Sequence, residues 1–327
     1  MVALDELRKA VKEIVKREDV KYVIGYEPGT YGCRVSPSFA VEPDDAEKFI
    51  FSPLCVHNLA VYLTLEEKPP LKKGEEEDTR KIGIVVKGCD SRAVAQIIQE
   101  KGLDREDVIL IGVPCSGVVD VKKVYKKFPT ATHVEIKEED GNYIMTVDGT
   151  THTMKKEEFL SDICVCCEHP IPVLYDVFIG SKEDAKQREK EDYRRVKQLE
   201  QQSLEEKWEY WEEKFERCIR CYACRNACPL CYCKECMVDH LNPQWVRRST
   251  NISENTAWNI MRAYHLAGRC IGCGACERAC PMDIPLMELN KKLEKDMKEL
   301  FDYEAGTTEE KPLLAVFNPE DPEEFIL

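Results

Sequence analysis

The pattern of hydrophobic and polar residues predicts an α/β domain in the first half of the chain. Apolar residues recur at helical spacing over residues 4–17 and predict an amphipathic helix. Two apolar runs rich in β-branched residues, 81–86 and 107–113, predict buried parallel strands. A helical pattern follows each run, over residues 91–101 and up to Lys127. This β-α-β-α order is typical of a doubly wound, mostly parallel sheet.

Shorter patterns in the first half predict smaller elements. Ahead of the first apolar run they predict a strand over 21–26, a loop over 27–37, helices over 44–50 and 58–65, and a polar surface loop over 68–79. Further on, segments 133–136 and 142–147 flank Asp140-Gly141 and predict a β-hairpin.

The second half alternates helical patterns with cysteine-rich segments. Residues 181–216 are highly charged and predict one long linker helix. Further helices are predicted over 253–266, closed by Gly268, and over 286–300. The final stretch is acidic and contains three prolines, which predicts an irregular tail. We therefore expect an α/β domain over 1–180, the linker helix over 181–216, a cysteine-rich helical domain over 217–301 and the tail over 302–327.

One cysteine pattern occurs twice in the second half. It reads C-x-x-C-x-x-C-x-x-x-C-P, first from Cys218 to Pro229 and again from Cys270 to Pro281. This is the bacterial ferredoxin run for 4Fe-4S clusters, and in two-cluster ferredoxins the fourth cysteine of each run ligates the other cluster. The expected ligands are therefore Cys218, Cys221, Cys224 and Cys280 for a first cluster, and Cys270, Cys273, Cys276 and Cys228 for a second.

A pair of zinc knuckles is the alternative, because zinc sites also use C-x-x-C. A zinc ion takes four ligands and has no use for the third evenly spaced cysteine or for the proline that follows each run. The repeated pattern therefore favours iron-sulfur clusters.

Two further cysteines follow the predicted strands directly. Cys89 and Cys115 stand just past the carboxyl ends of neighbouring strands, the edge at which open α/β sheets bind ligands. Cys164 and Cys167 form a C-x-x-C pair that can complete a third 4Fe-4S set, and Cys166 can replace either of them. The alternative is that these cysteines are small buried hydrophobic residues.

Five cysteines remain after these three sets. Cys231, Cys233 and Cys236 fall within six residues and suggest a further site, either a fourth cluster or a structural metal. They lack a local fourth ligand, although Cys33 or Cys55 can supply one from the first domain. Taken alone, Cys33 and Cys55 are predicted to be plain buried residues.

Composition narrows the class of protein. The chain has 327 residues and 18 cysteines, and it does not open with a secretory signal, so we expect a reducing, cytoplasmic location and metal-bound cysteines. The net charge of −14 argues against nucleic-acid binding. We also expect no membrane span, since no apolar run approaches the necessary length.

Three segments of the sequence resemble a known family. They are Lys87-Gly-Cys89-Asp90-Ser91-Arg92-Ala93, Gly112-Val-Pro114-Cys115-Ser-Gly117, and Cys164 to Cys167 with the residues up to Gly180. Over residues 80–285 the chain resembles the beta subunits of deazaflavin-coenzyme-reducing hydrogenases and formate dehydrogenases, and related sulfhydrogenase-type subunits. The region around the two ferredoxin runs resembles the helical two-cluster domain of heterodisulfide-reductase-type subunits.

The resemblance implies clusters, partners and a flavin. Beta subunits of this family pass electrons through 4Fe-4S clusters between a catalytic partner and a flavin or electron-bifurcating partner, and Cys89, Cys115, Cys164 and Cys167 match the family's cysteine positions. FAD would bind at the strand edge, at Gly88, Ser91, Arg92 and Gly117.

Two features depart from the family. The ferredoxin runs follow the α/β domain here, whereas they precede it in the deazaflavin-reducing members. In addition, no G-x-G-x-x-G fingerprint follows a strand.

The function expected from these observations is that of an electron-relay subunit in an anaerobic redox complex. It would carry single electrons between a formate dehydrogenase or hydrogenase and a flavin, heterodisulfide-reductase-type or ferredoxin partner, with no catalytic residue of its own. The alternative is a flavin enzyme that itself reduces the deazaflavin coenzyme, NAD(P) or ferredoxin. A zinc scaffold without redox chemistry is the third hypothesis.

Overall fold

The computed structural model describes residues 4–30, 32–65, 78–182 and 190–307, together with Leu313. Within these residues the strands are β1 (Val20–Pro28), β2 (Val35–Ala40), β3 (Lys81–Val86), β4 (Val108–Gly112), β5 (Val134–Glu139), β6 (Asn142–Val147), β7 (Thr150–Lys155) and β8 (Val177–Phe178). The helices of the first half are α1 (Leu4–Val15), α2 (Val61–Leu65), α3 (Gly88–Gln99), α4 (Val121–Lys127), α5 (Lys156–Phe159) and α6 (Asp162–Val165). Those of the second half are α7 (Arg194–Glu200), α8 (Leu204–Glu216), α9 (Ala223–Asn226), α10 (Ile252–His265), α11 (Ala275–Arg278) and α12 (Leu286–Phe301). Short 3-10 helices cover Pro43–Lys48 and Arg105–Asp107.

A five-stranded sheet organises the first half of the chain, with the strand order β2-β1-β3-β4-β8. Strands β1, β3, β4 and β8 run parallel, and β2 pairs antiparallel with β1 at one edge. Ile82 of β3 pairs with Val108 of β4, so the two strands reach their carboxyl ends side by side. The prediction of a mixed α/β fold with a mostly parallel sheet is confirmed.

Both faces of this sheet are buried, because helices cover each of them. On one face Leu7, Val11 and Ile14 of α1 pack against strand residues that include Val85. On the other face α3 packs through Val94 and Ile97 against residues that include Ile84 and Leu110. Adjacent strand residues thus face opposite helices, as the two-residue period of a strand requires.

A separate antiparallel sheet has the order β5-β6-β7. Its first two strands form the predicted hairpin around Asp140-Gly141. The third strand, β7, pairs with β6 throughout and was not predicted.

The cysteine-rich half is helical around a core of its own. Phe215, Trp258, Ile284 and Leu286 are buried together there. Helices α10 and α12 agree with the predicted helices, and Gly268 follows α10 with φ of +67°.

The helical half docks on the side of the sheet that α3 covers. Arg92 of α3 donates to the carbonyl oxygens of Ala305 and Ile271. Arg278 donates to the carbonyl of Val56 at 2.9 Å. The second ferredoxin-type run is thereby held against the α/β domain.

Five predictions about local structure were wrong or lie outside the described residues. The loop over 27–37 contains the start of β2, and the helix over 44–50 is a short 3-10 helix. The linker is not one long helix, because α7 ends at Glu200 and Ser203 caps a new helix, α8. The loop over 68–79 and the tail over 302–327 fall outside the described residues, apart from 78–79, 302–307 and Leu313.

Of the helices that the structure describes, none is both long enough and apolar enough to cross a membrane.

Candidate iron-sulfur sites

The first predicted set of cysteines surrounds one cleft. Cys218, Cys221, Cys224 and Cys280 all line an open cleft of about 320 Å³, although Cys280 belongs to the other run. Trp258 and Ile284 form part of its apolar wall. The cleft fits a 4Fe-4S cluster, because four thiols converge on it and its walls are apolar.

The two cysteine loops have the same backbone path. In the first loop Arg220 and Tyr222 have φ of 55° and 58°, and at the matching positions of the second loop Gly272 and Gly274 both have φ of 68°. Each loop then enters a four-residue helix, α9 or α11. A left-handed conformation costs a non-glycine residue about 1–2 kcal/mol. In the first loop the guanidinium of Arg220 offsets this cost by donating to the carbonyls of Glu254 and Arg247.

The cysteines of the second predicted set are close to one another, and they are half-buried apart from Cys276, which is buried. The thiols of Cys270, Cys273 and Cys276 interact electrostatically with Cys228, which comes from the first run. Burial raises the pKa of Cys276 to about 12; the charge of Arg262 opposes this rise, and Cys228 and Cys273 add to it. Thiols grouped in this way are stable as thiolates only when a metal centre neutralises their charge. In both sets the structure thus brings the fourth cysteine of one run close to cysteines of the other run.

The third predicted set lies at the carboxyl edge of the sheet. The amide of Gly117 donates to the Sγ of Cys115 at 3.4 Å, and the next amide, that of Val118, donates to the Sγ of Cys164 at 3.5 Å. Burial raises the pKa of Cys89, and the charges of Asp90, Cys273 and Cys115 raise it further. Cys89 therefore lies between Cys115 and the second set.

A second cleft, of about 430 Å³, opens beside Cys89. Cys166 and Cys167 both line it, as does Gly272 of the second cysteine loop. The structure thus brings Cys89, Cys115, Cys164, Cys166 and Cys167 to one edge of the sheet. Which four of them are ligands stays a prediction.

The remaining cysteines have separate surroundings. Cys231 is paired with Cys228, an interaction that raises the pKa of Cys228 and lowers that of Cys231. Cys236 interacts instead with Arg225, and Cys233 is exposed. Cys33 and Cys55 are 2% and 0% exposed in the core on the α3 side of the sheet. Among the described residues, no group of three or more His, Cys, Asp or Glu side chains is arranged to hold a single metal ion.

The four residues predicted to bind FAD do not fit a flavin. A Cβ atom on Gly88 would stand 1.8 Å from the carbonyl oxygen of His169, so protein already fills that space. The hydroxyl of Ser91 donates to the Gly88 carbonyl and accepts from the amide of Val173. Arg92 bonds to two carbonyls and forms an ion pair with Glu304, and the amide of Gly117 is engaged by Cys115.

A buried ion pair lies beneath the third set, in a segment that sequence reasoning singled out only for its family resemblance. Lys87 and Asp90 are 2.9 Å apart and almost fully buried. The ammonium group of Lys87 also contacts the hydroxyl of Tyr26 and donates to the carbonyl of His57. Burial lowers the pKa of Lys87, but the charges of Asp90, Tyr26, Cys89 and Cys115 raise it on balance, so the lysine is a fixed cation beside the two thiols.

His169 joins this region to the end of the helical half. Its Nε2 atom lies 2.9 Å from the carboxylate of Glu304, in the wall of the second cleft. Burial acts to raise the pKa of Glu304, but His169, Arg92 and Lys298 lower it to about 2. Charged side chains therefore line the cleft, and the described cations among them form ion pairs with carboxylates.

Two protein-family models match separate parts of the chain. Residues 79–196 match the family described as the C terminus of the coenzyme F420 hydrogenase/dehydrogenase beta subunit. Residues 217–285 match the 4Fe-4S dicluster domain.

The chain is similar to two curated proteins and to one chain of a solved structure. The chain is 26% identical to the F420-dependent formate dehydrogenase subunit beta of Methanocaldococcus jannaschii, over 72% of this chain and 76% of that protein. It is also 26% identical to the F420-dependent formate dehydrogenase 1 subunit beta of Methanococcus maripaludis, over 71% and 74% of the two chains. A chain in the structure of the F420-reducing [NiFe] hydrogenase complex from Methanosarcina barkeri matches with a TM-score of 0.34 and 13% identity, over 52% of this chain and 64% of that one. The protein thus carries a domain of the coenzyme F420 hydrogenase/dehydrogenase beta-subunit family, joined to a 4Fe-4S dicluster domain.

Proposed function

We propose that this chain is the electron-relay subunit of an anaerobic redox complex. It passes single electrons between a catalytic partner, a formate dehydrogenase or hydrogenase, and a flavin, heterodisulfide-reductase-type or ferredoxin partner. The observation that carries the proposal is that Cys280 lines one cleft with Cys218, Cys221 and Cys224, whereas Cys228 interacts with Cys276 of the second run. A two-cluster ferredoxin, in which each run lends its fourth cysteine to the other cluster, requires this placement. The similarity to two formate dehydrogenase beta subunits supports the choice of partner.

Different parts of the chain would hold different clusters. Residues 217–301 hold the first and second clusters, and residues 1–180 hold a third at the sheet edge. A 4Fe-4S cluster, when bound, supplies one-electron chemistry. The chain itself supplies thiolates, excludes water and sets the local charge.

The arrangement of the three predicted cluster sites supports a linear path for electrons. Cys221 and its neighbour Ile219 are exposed, so the first cluster would face a partner. Cys224 of the first set interacts with Cys276 of the second, and Cys273 of the second interacts with Cys89 of the third. An electron entering at the first cluster would therefore reach the sheet edge through the second.

The test is an anaerobic purification of the full chain, followed by analysis of iron, sulfide, zinc and flavin. We expect iron and sulfide in equal amounts and an electron paramagnetic resonance (EPR) signal after dithionite reduction. Cys221→Ser should lose iron and one of the signals. Cys33→Ser is the matched control, because Cys33 is buried outside the three predicted four-cysteine sets, and it should keep the full iron content.

Other outcomes would select the other hypotheses. Stoichiometric flavin released on denaturation would favour the flavin enzyme. Zinc in place of iron and sulfide would favour the scaffold. Equal iron in Cys221→Ser and the wild type would remove the first site.

A further inference from the structure

We propose that Arg262 is a shared electrostatic partner of the first and second clusters, and that its fixed positive charge raises the reduction potential of both. This inference rests on the proposed function, because it needs clusters at both sites. It goes further by assigning to one side chain of α10 the control of two potentials.

The position of Arg262 carries the inference. Its side chain is only 4% exposed, and it lies in the last turn of α10. Its Nη2 atom donates to the carbonyl oxygen of Cys224, a ligand predicted for the first cluster, at 3.0 Å. Its Nε atom is buried and has no hydrogen-bond acceptor among the described residues. A buried N–H group without an acceptor is rare in folded proteins, and here it lies among the cysteines.

The charges around Arg262 come from both sets of cysteines. Burial acts to lower the pKa of Arg262, but Cys276, Cys228, Cys231 and Cys224 raise it well above its ordinary value. Cys224 belongs to the first predicted set, whereas Cys228 and Cys276 belong to the second. Within the described residues no carboxylate forms an ion pair with this guanidinium, so the thiolates are its counter-charges.

A buried cation in this place favours the reduced clusters. Each reduction adds one negative charge to a cluster, and a nearby positive charge stabilises the more negative state more strongly. The effect is large where water is excluded, because screening is weak there. Since the charge of Arg262 interacts with cysteines of both sets, it also offsets the repulsion between electrons that occupy the two clusters together.

The experiment compares three variants of the full chain with the wild type, all purified anaerobically. Arg262→Gln removes the charge and Arg262→Lys keeps it. Lys295→Gln is the matched control: it removes a mostly buried positive charge from the same half of the chain, but one that is paired with Glu200 rather than with thiols. Iron and sulfide are measured first, and the midpoint potential of each cluster then follows from EPR-monitored redox titration.

We expect Arg262→Gln to lower both midpoint potentials. At a fixed applied potential the ratio of reduced to oxidised cluster should fall at least tenfold at each site, which is about 59 mV for a one-electron couple. Arg262→Lys should stay nearer to the wild type, and Lys295→Gln should match it. A further outcome is that Arg262→Gln fails to assemble clusters altogether. In that case, full iron in Arg262→Lys supports the inference, because only the charge is then required. Loss of iron from both variants overturns the inference.

Three results would overturn the inference while leaving the proposed function intact. They are unchanged potentials in Arg262→Gln, a shift confined to one cluster, and an equal shift in Arg262→Lys. A wild-type protein without iron would instead remove the proposed function itself, so the two failures are distinguishable.

Discussion

The guanidinium of Arg269 donates two hydrogen bonds, of 2.6 and 2.5 Å, to the carboxylate of Glu100. The hydroxyl of Tyr232 donates to the same carboxylate at 2.5 Å. Glu100 ends helix α3, which begins beside Cys89, and Arg269 directly precedes Cys270. This contact therefore connects the second cysteine loop to the helix that carries part of the third set.

Replacing Glu100 by Gln should destabilise the protein, because the largely buried guanidinium of Arg269 would lose its counter-charge. Removing one partner of a buried ion pair costs about 3–5 kcal/mol, and the partial exposure of Arg269 places the expected loss near about 3 kcal/mol. Urea denaturation measures it as a lower midpoint at constant slope.

An exposed ion pair provides the control for this substitution. Arg194 and Asp192 form a comparable contact at the surface, and Asp192→Asn should change the midpoint far less. Equal midpoint shifts in the two variants would show that the Glu100 contact does not hold the two halves together.

The stability of the protein should fall in acid partly through Glu304. Folding lowers the pKa of this carboxyl from 4.5 to about 2, since His169, Arg92 and Lys298 outweigh the effect of burial. A carboxylate with a lowered folded pKa contributes stability above its unfolded pKa, and this contribution is lost as the pH falls toward the folded value. The loss should therefore occur between about pH 5 and about pH 2.

Urea midpoints of the wild type and of Glu304→Gln test this dependence in matched, short incubations. The wild type should be more stable by a constant amount from about pH 8 to about pH 5, and the difference should shrink below that range. If the difference in stability between the two proteins stays constant in acid, the lowered pKa of Glu304 does not contribute to the stability of the fold.

The local sequence was sufficient to predict a strand whose two faces are both buried. Strand β3 agrees residue for residue with the apolar run over 81–86, because both of its faces pack against helices. Strand β7 was missed because Thr150–Lys155 is polar and mostly exposed, so its pairing with β6 leaves no hydrophobic signature. The break between α7 and α8 depends on the cap at Ser203, which resembles any other polar position in a charged stretch.

Local sequence also predicted only part of the candidate sites. Spacing along the chain was enough to predict the two crossed cysteine sets, because the ligands of a ferredoxin loop are close in sequence. Arg262 was not predicted, since a cation in an amphipathic helix is usually exposed to solvent. Only the packing of α10 between the two cysteine loops shows that this one is buried.

Cys231 and Cys233 should respond differently to substitution, although both belong to the same cysteine-rich segment. Cys231 is paired with Cys228, so Cys231→Ser should disturb the second cluster and change its EPR signal. Cys233 is exposed, and Cys233→Ser should leave iron, sulfide and both signals unchanged. Loss of iron from Cys233→Ser would instead support a separate fourth site.

Gly88→Ala should disrupt the third site while sparing the first two. The new methyl group would stand 1.8 Å from the carbonyl oxygen of His169 and 3.2 Å from that of Ile171. Because both contacts are with backbone, the chain after Cys167 would have to move away from α3, and Cys166 and Cys167 would move away from Cys89. Overpacking of this kind typically costs about 1–3 kcal/mol.

Iron content and EPR spectra of Gly88→Ala, compared with those of Gly83→Ala, measure this effect. A Cβ on Gly83 would also meet a close neighbour, Val23 at 2.7 Å, but inside the sheet and away from the cysteines. Both variants should lose stability, whereas only Gly88→Ala should lose the iron of the third cluster and keep the two dicluster signals. If the two variants retain the same iron, the cysteines at the sheet edge do not hold a cluster and are buried thiols, and the electron path ends at the second cluster.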